Sequence, residues 1–182
     1  MSVVKIIYGS TTGNTEEAAE KIAEHLKNVT NSVTHVEDVT VEDFNNSDVL
    51  ILGISTWDVG GLQYDWEDFF DELDKVDFSK KVVALFGMGD QRVYNTTFQD
   101  AMGTLYQKVT SCGAIVIGSW PTVGYEFKKS KGVVDGNFVG LALDNDNQGN
   151  QTNARIEKWT TKLKQDIENL QASLPLASEC SQ

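Results

Sequence analysis

The 182-residue chain contains few of the residues that cross-link a fold or bind metal ions. It has two cysteines, two histidines and two prolines. Cys112 and Cys180 form neither a C-x-x-C pair nor a zinc-ligand spacing, which argues against a disulfide scaffold and a zinc module. His25 and His35 also lack partners at ligand spacing, so we expect both histidines to be structural and no metal to be bound.

Positive charge and long apolar runs are also scarce. Fifteen Lys and Arg face 27 Asp and Glu, a net charge of −12, which argues against nucleic acid and anionic membranes as partners. No run approaches the ~18 apolar residues of a membrane span, and no basic segment followed by an apolar stretch opens the chain. We expect a soluble, unsecreted protein with one substantial core, since 40% of its residues are hydrophobic.

The apolar residues that are present alternate between two periods. β-Branched runs predict strands, and between them apolar residues recur at helical spacing, as in Ile156, Trp159 and Leu163. This alternation predicts an α/β fold with a parallel sheet. The expected strands lie at about Val3–Tyr8, Val33–Val36, Val49–Ile54, Val82–Phe86 and Ala114–Gly118.

The last of these strands is interrupted. After Gly118 the pattern lapses through "SWPTVGYEFKKSKGVVDGN", and "FVGLAL" then reads as a strand again. We therefore predict one edge strand broken by a loop of about twenty residues, a length that is uncommon without a function or a partner contact.

The segment "YGSTTGNT" joins the first strand to the first helix. Such a turn presents free backbone N–H groups and the positive end of the helix dipole to an anion. It is not a Walker loop, because three residues separate Gly9 from Gly13 and Asn14 stands where lysine would be. From these residues alone, an ordinary helix cap and an anion site both remain open.

Large aromatic residues follow two other strands. Trp57 lies in "STWDVGG" and Tyr94 in "GMGDQRVYN", and both are beside glycines. In an open parallel sheet, ligands collect at the carboxyl ends of the strands, so these residues are well placed to clamp a flat ring.

Five features in order, "GSTTGNT", "STWDVGGLQYDWEDF", "FGMGDQRVYNTTFQDA", the interrupted strand and "DGNFVGLALDNDNQ", resemble the long-chain flavodoxins. The resemblance implies a flavodoxin-like three-layer sandwich with a five-stranded parallel sheet in the order 2-1-3-4-5, helices on both faces and an interrupted fifth strand. It places the FMN-binding domain at residues 1–172 and leaves 173–182 as a mobile extension.

The same resemblance assigns cofactor-binding residues for FMN. Asn14 departs from those family members that have lysine at this position, although its backbone amide stays available. The resemblance implies three groups: Ser10, Thr11, Thr12, Gly13, Asn14 and Thr15 around the phosphate; Thr56, Trp57, Asp58, Val59 and Gly60 at the inner ring face and flavin N5; Gly89, Asp90, Tyr94, Gln99 and Asp146 at the outer face, pyrimidine edge and ribityl chain.

The implied activity is low-potential, one-electron transfer on non-covalently bound FMN through its semiquinone/hydroquinone couple, with no substrate turnover. The implied partners are basic redox proteins, such as a flavoprotein reductase, which dock on a monomer at an acidic flavin edge formed by Glu67, Asp68, Asp71 and Glu72. Part of this acidic run reads equally as a solvated helix face. We expect the protein in the cytoplasm, or in the stroma of a plastid.

Two other functions are compatible with an α/β sheet. An FMN-dependent quinone or azo-type oxidoreductase needs one open ring face, which the pair Trp57 and Tyr94 would close. A phosphorylated receiver domain needs acidic residues at the end of the first strand, where Ser10 and Thr11 stand instead.

Overall fold

The computed structural model describes residues 3–173, in which helices cover both faces of a mainly parallel sheet. Six α-helices are described, and 3₁₀ turns follow β2, α3 and α5. The helices are α1 Asn14–His25, α2 Val41–Asn45, α3 Tyr64–Phe69, α4 Asp100–Ser111, α5 Asn145–Gln148 and α6 Thr152–Ser173. The strands are β1 Val4–Tyr8, β2 Ser32–His35, β3 Val49–Trp57, β4 Gly61–Leu62, β5 Val82–Met88, β6 Ile115–Ile117, β7 Trp120–Pro121, β8 Val133–Val134, β9 Asn137–Phe138 and β10 Leu141–Leu143.

The strand order confirms the predicted topology. The sheet runs β10-β5-β3-β1-β2, and β6 also pairs with β5. β6 lies along Val82–Ala84 and β10 lies along Phe86–Met88, so the two short strands are the halves of one interrupted edge strand. In the sheet, β1 lies between β2 and β3. The chain runs from β1 to β2 at one edge and then crosses to β3, so the topological switch point lies between β1 and β3.

The segment that interrupts the edge strand, residues 118–140, is called the insertion below. It is more structured than the loop that the sequence predicts. Strands β7, β9 and β8 form a small antiparallel sheet, so Phe138 belongs to β9 and the edge strand resumes at Leu141. Asp135 and Gly136 close the β8–β9 hairpin with φ of 49° and 78°, the left-handed pair that a two-residue hairpin turn requires. Because that turn directs the chain back on itself, the residues before Leu141 pair within the insertion.

The insertion packs on Phe98, in the loop before α4, through an aromatic cluster. Phe98 contacts Tyr125, Phe127 and Phe138 with ring centroids 5.6 to 5.9 Å apart. Gly103 faces the backbone at Lys131 so closely that a Cβ would overlap it. A glycine on α4 is thus what allows the insertion to lie against this helix.

The segment from Tyr64 to Lys75 contains two kinds of helix. α3 ends at Phe69, and a 3₁₀ turn continues from Phe70 to Lys75. Trp66 and Leu73 are fully buried, so both parts pack on the core. Within residues 3–173, none of the helices is long and apolar enough to cross a membrane. The predicted extension beyond Ser173, with Cys180, lies outside the described residues.

Asp43 links α2 to strand β1. Its carboxylate accepts hydrogen bonds from the Thr40 N–H at 2.9 Å, the Thr40 hydroxyl at 2.8 Å and Lys5 Nζ at 3.0 Å. These bonds, chiefly that from the Thr40 N–H, lower the pKa of Asp43 from 3.8 to about 2.

We therefore expect Asp43→Asn to reduce the free energy of unfolding at neutral pH and to reduce it much less at pH 2. A carboxyl whose pKa is lowered by folding stabilises the fold above its unfolded pKa and loses that contribution as the pH falls from about 4 to 2. After allowance for solvent screening of this half-exposed group, the loss at pH 7 is about 1 kcal/mol. Urea titrations at both pH values measure it, and an equal loss at each pH would contradict the account.

Candidate functional site

The loop between β1 and α1 holds no cationic side chain and no side-chain helix cap. Gly13 is the N-cap of α1 with φ 90°, and no side chain caps the first turn. Ser10 Oγ accepts the Gly13 N–H at 3.1 Å, while Thr11 and Thr12 are exposed and Thr15 is buried. No hydroxyl group of this threonine-rich segment therefore caps α1. The N-terminus of this twelve-residue helix remains available to an anion.

Gln63, which the sequence did not indicate, holds this loop by a hydrogen bond to Thr11. The side chain is fully buried, and Nε2 donates to Thr11 Oγ1 at 3.2 Å and to Asp65 Oδ2 at 2.6 Å. Its Oε1 accepts the Trp66 N–H at 3.3 Å and lies where a Cβ on Gly9 would be. Nothing local in "GGLQYD" signals this role, because the contact spans 52 residues.

His35 supports the loop from the end of β2. Its Nε2 lies 3.2 Å from the Ser10 backbone nitrogen and 3.5 Å from Asp65 Oδ2. The sequence predicts a structural role for this histidine, because it has no partner at metal-ligand spacing. The signal that points to the loop is its place at the carboxyl end of a strand adjacent to β1, since Tyr8 is paired with His35.

The segment after β3 is a three-residue hairpin loop that leads into β4. Trp57 pairs with Gly61, and Asp58, Val59 and Gly60 form the connection. Asp58 and Gly60 have φ of 47° and 86°, and Val59 is 83% exposed at the tip. Asp and Gly are among the residues that adopt this left-handed conformation most readily, so the sequence "DVGG" suits the turn.

The predicted ring-stacking residues are accessible but differ in their support. Trp57 is half-buried, donates from Nε1 to Ser55 Oγ at 2.8 Å and lies 5.6 Å from the Tyr64 ring. Tyr94 is 42% exposed in the loop after β5, next to Val93 at 70%. Two aromatic side chains at strand ends thus remain outside the core and open to a ligand.

Acidic side chains gather where the β5–α4 loop meets α5. Burial opposes ionisation of Asp90, but hydrogen bonds from the Val93 N–H, the Asn147 side chain and the Arg92 N–H outweigh it and lower its pKa. Asp146, on α5, has a raised pKa because the surrounding protein partly desolvates its carboxyl group and because Asp90 and Asp144 are negatively charged. This part of the site is therefore electronegative.

Hydrogen bonds hold several of the predicted residues near the carboxyl ends of the strands. Asn145 on α5 donates to the Asn14 side chain at 3.3 Å, and Asn147 donates to Asp90 at 2.8 Å. Thr56 Oγ1, beside Trp57, accepts the Ala101 N–H of α4 at 3.2 Å. Gly89 continues the sheet by donating to the Leu143 carbonyl at 3.0 Å.

Gln99 is the residue before α4, and its side chain lies inside the protein. Its side chain has no exposed area, and Nε2 donates to the carbonyls of Gly87 and Leu143, both at 3.1 Å. The side chain therefore joins β5 to β10, while the contact of Gln99 with the cofactor stays a prediction. The loop before α4 ends at this residue with φ 62°.

Gly60 fixes how closely the hairpin approaches the β5–α4 loop. A Cβ there would lie 2.9 Å from Asp100 Oδ2 and 3.3 Å from Thr97 Cβ, and φ is 86°. We expect Gly60→Ala to reduce the free energy of unfolding by about 1–2 kcal/mol through backbone strain. Gly136→Ala, with φ 78° and open space around its Cα, is the matched control for strain without crowding. Chemical denaturation that gave equal losses for both would show that the crowding is unimportant.

Comparison with known proteins agrees with this geometry. Residues 6–159 match the sequence profile of the family described as flavodoxin. The chain is 47% identical over 167 residues to the flavodoxin of Synechocystis sp. (strain ATCC 27184 / PCC 6803 / Kazusa), covering 90% of this chain and 97% of that one. It is 44% identical to the flavodoxin of Klebsiella pneumoniae, covering 92% and 96%.

A solved structure gives the same result in three dimensions. Fusobacterium nucleatum flavodoxin bound to flavin mononucleotide superposes with a TM-score of 0.87 at 32% identity, covering 91% of this chain and 99% of that one. Sequence profile, curated relatives and structure thus agree, and the chain belongs to the flavodoxin family.

Proposed function

We propose that this chain is a cytoplasmic electron carrier that binds FMN non-covalently at the carboxyl edge of its sheet and transfers single electrons between partners without turning over a substrate. The observation that carries the proposal is an uncapped helix start beside two accessible aromatic residues. When bound, FMN supplies the group that accepts and releases the electrons. The residues of this chain bind and orient the cofactor, exclude water from it and set the charge around it.

The phosphate is assigned to the loop from Ser10 to Thr15. Backbone N–H groups at the start of α1 and the exposed hydroxyls of Thr11 and Thr12 are donors suited to an anion. The donor set fits a phosphate because hydrogen bonds to charged groups are each worth about 1.5–3 kcal/mol. The loop itself stabilises the phosphate without neutralising it, because residues 9–15 contain no lysine or arginine.

The ring is assigned to the space between the hairpin and the β5–α4 loop. In this proposal Trp57 covers the inner face and Tyr94 the outer face, while the tip from Asp58 to Gly60 faces the N5 edge. The accessibility of Tyr94 and Val59 supports an apolar ligand surface at this position. Stacking on both faces leaves no face for hydride transfer from a second substrate, which supports a carrier.

Negative charge around the ring favours a low potential. Two unit charges about 10 Å apart repel by roughly 1.7 kcal/mol at an effective dielectric of about 20. A one-electron step of about 59 mV corresponds to about 1.4 kcal/mol. Each uncompensated carboxylate, such as Asp58 or Asp90, therefore disfavours added negative charge on the cofactor by tens of millivolts.

We expect FMN to bind tightly at one site per chain and riboflavin, which lacks the phosphate, far more weakly. Thr12→Val should reduce FMN affinity by about 1.5–3 kcal/mol, since one hydrogen bond to a dianion is lost. Thr161→Val, at an exposed position on α6, is the control and should change nothing. Fluorescence titration gives the dissociation constants, and equal affinity for the two flavins would refute the phosphate assignment.

The partner is assigned to the acidic surface formed by α3 and the 3₁₀ turn after it. Glu67, Asp68 and Asp71 are exposed and, within residues 3–173, form no ion pair. Glu72 is ion-paired with Lys75 at 2.6 Å, so it contributes less net charge. A basic redox protein, such as a flavoprotein reductase, would be steered to this surface by long-range attraction.

We expect electron transfer from a basic flavoprotein reductase to slow as ionic strength rises from about 0.01 to 0.15 M, because the Debye length shrinks from about 30 to 8 Å. Reversing Glu67 and Asp68 to lysine should slow it further while FMN stays bound. The control reverses Glu157 and Glu168, which are exposed on α6. In stopped-flow experiments, a flat salt dependence or an equal effect of both double variants would place docking on another surface.

A further inference from the structure

His35 faces two backbone donors that it cannot satisfy at once. The Ser10 N–H points at Nε2 at 3.2 Å, and the Glu37 N–H points at Nδ1 at 3.3 Å. A neutral imidazole has one acceptor nitrogen and an imidazolium has none. The ring therefore holds the Ser10 amide, the first amide of the phosphate loop, only while Nε2 is unprotonated.

Two acceptors lie near His35 Nε2 and could accept a hydrogen bond from this nitrogen if it were protonated. Nε2 lies 3.4 Å from the Ser10 carbonyl oxygen and 3.5 Å from Asp65 Oδ2. Asp65 is in turn oriented by the buried Gln63, whose Nε2 donates to Oδ2 at 2.6 Å. A protonated ring would thus exchange an accepted bond from Ser10 for a donated bond to Asp65.

The groups around the ring are suited to a cation. Tyr8 of β1 meets the ring edge-on at 5.2 Å and stays uncharged, because burial and a hydrogen bond to Glu16 raise its pKa to about 12. Among the described residues, the charged groups that lie beside the ring or act on Tyr8 are acidic: Asp65 on α3, Glu16 and Glu20 on α1, and Glu37 and Asp38 in the turn after β2.

We propose that His35 is a positioning residue for the phosphate, a role that rests on the proposed binding of FMN. Without ligand, unprotonated Nε2 accepts the Ser10 N–H. When the phosphate arrives, Nε2 takes a proton from solvent and the Ser10 N–H···Nε2 hydrogen bond breaks. The freed N–H then turns to the phosphate, and the new Nε2–H donates to Asp65.

This exchange supplies what the loop itself lacks. Residues 9–15 contain no lysine or arginine, yet a protonated His35 would place one positive charge behind the loop as the phosphate binds. Because the ring takes up a proton when the phosphate binds, its contribution becomes larger as the pH falls. The phosphate of free FMN also titrates near pH 6, so the effect of the ring has to be measured against a variant without it.

The test measures FMN and riboflavin dissociation constants from about pH 5.5 to 8.5 for the parent protein and His35→Gln, which retains an amide donor and acceptor but does not titrate in this range. His25→Gln, at an exposed position on α1, is the matched control. We expect the affinity advantage of the parent over His35→Gln to grow about tenfold for FMN between pH 8 and 6, the gain of one charge-assisted bond. Riboflavin and the His25→Gln variant should show no such change.

A second readout follows the proton directly. Calorimetry of FMN binding in two buffers of different ionisation enthalpy should show more proton uptake by the parent than by His35→Gln, and Asp65→Asn should lower the pH at which the uptake occurs. An equal pH dependence of FMN affinity in the parent and His35→Gln would overturn the proposal while leaving FMN binding intact. Failure of the parent to prefer FMN over riboflavin would instead refute the proposed function.

Discussion

One backbone carbonyl, that of Gly53 in β3, joins the parts from which the site is built. It accepts the Gly9 N–H at 3.0 Å and the Trp66 indole N–H at 2.7 Å. The first bond fixes the start of the loop after β1, and the second fixes α3, which carries the acidic surface. Gly53 has to lack a side chain, because the Phe86 ring occupies the position of a Cβ.

The remaining loops of the site are joined by hydrogen bonds of neutral side chains. Gln63 holds Thr11, Thr56 caps α4, and Asn147 joins Asp90 to α5. The arrangement suits a carrier that binds a phosphate strongly while keeping the surroundings of a redox-active ring negative. In this view, affinity comes from hydrogen bonds and potential comes from uncompensated charge, so the two properties are set by different residues.

The sequence predicted the parts of the fold that depend on periodicity and chain order. Buried β-branched runs separated by helical stripes indicated the sheet. The rule that ligands collect at strand ends is the basis on which Trp57, Tyr94 and the loop after β1 are proposed as the site. The sequence did not predict contacts between distant segments. The hydrogen bonds from the Gln99 side chain to the sheet were not predicted. Gln63 and His35 act on a loop that is more than twenty residues away in the chain. The small sheet within the insertion was missed because its strands have only two residues each.

The central claim is that FMN is held by the backbone amides of the loop after β1 and by the two loops that flank it. The most direct test is an amide ¹H–¹⁵N NMR titration of the cofactor-free protein with FMN and with riboflavin. We predict that both flavins shift the amides of residues 57–60 and 89–95, and that only FMN moves the amides of residues 10–15 strongly downfield, as hydrogen bonds to a phosphate require. Equal shifts of residues 10–15 with both flavins, or shifts confined to another surface, would contradict the account.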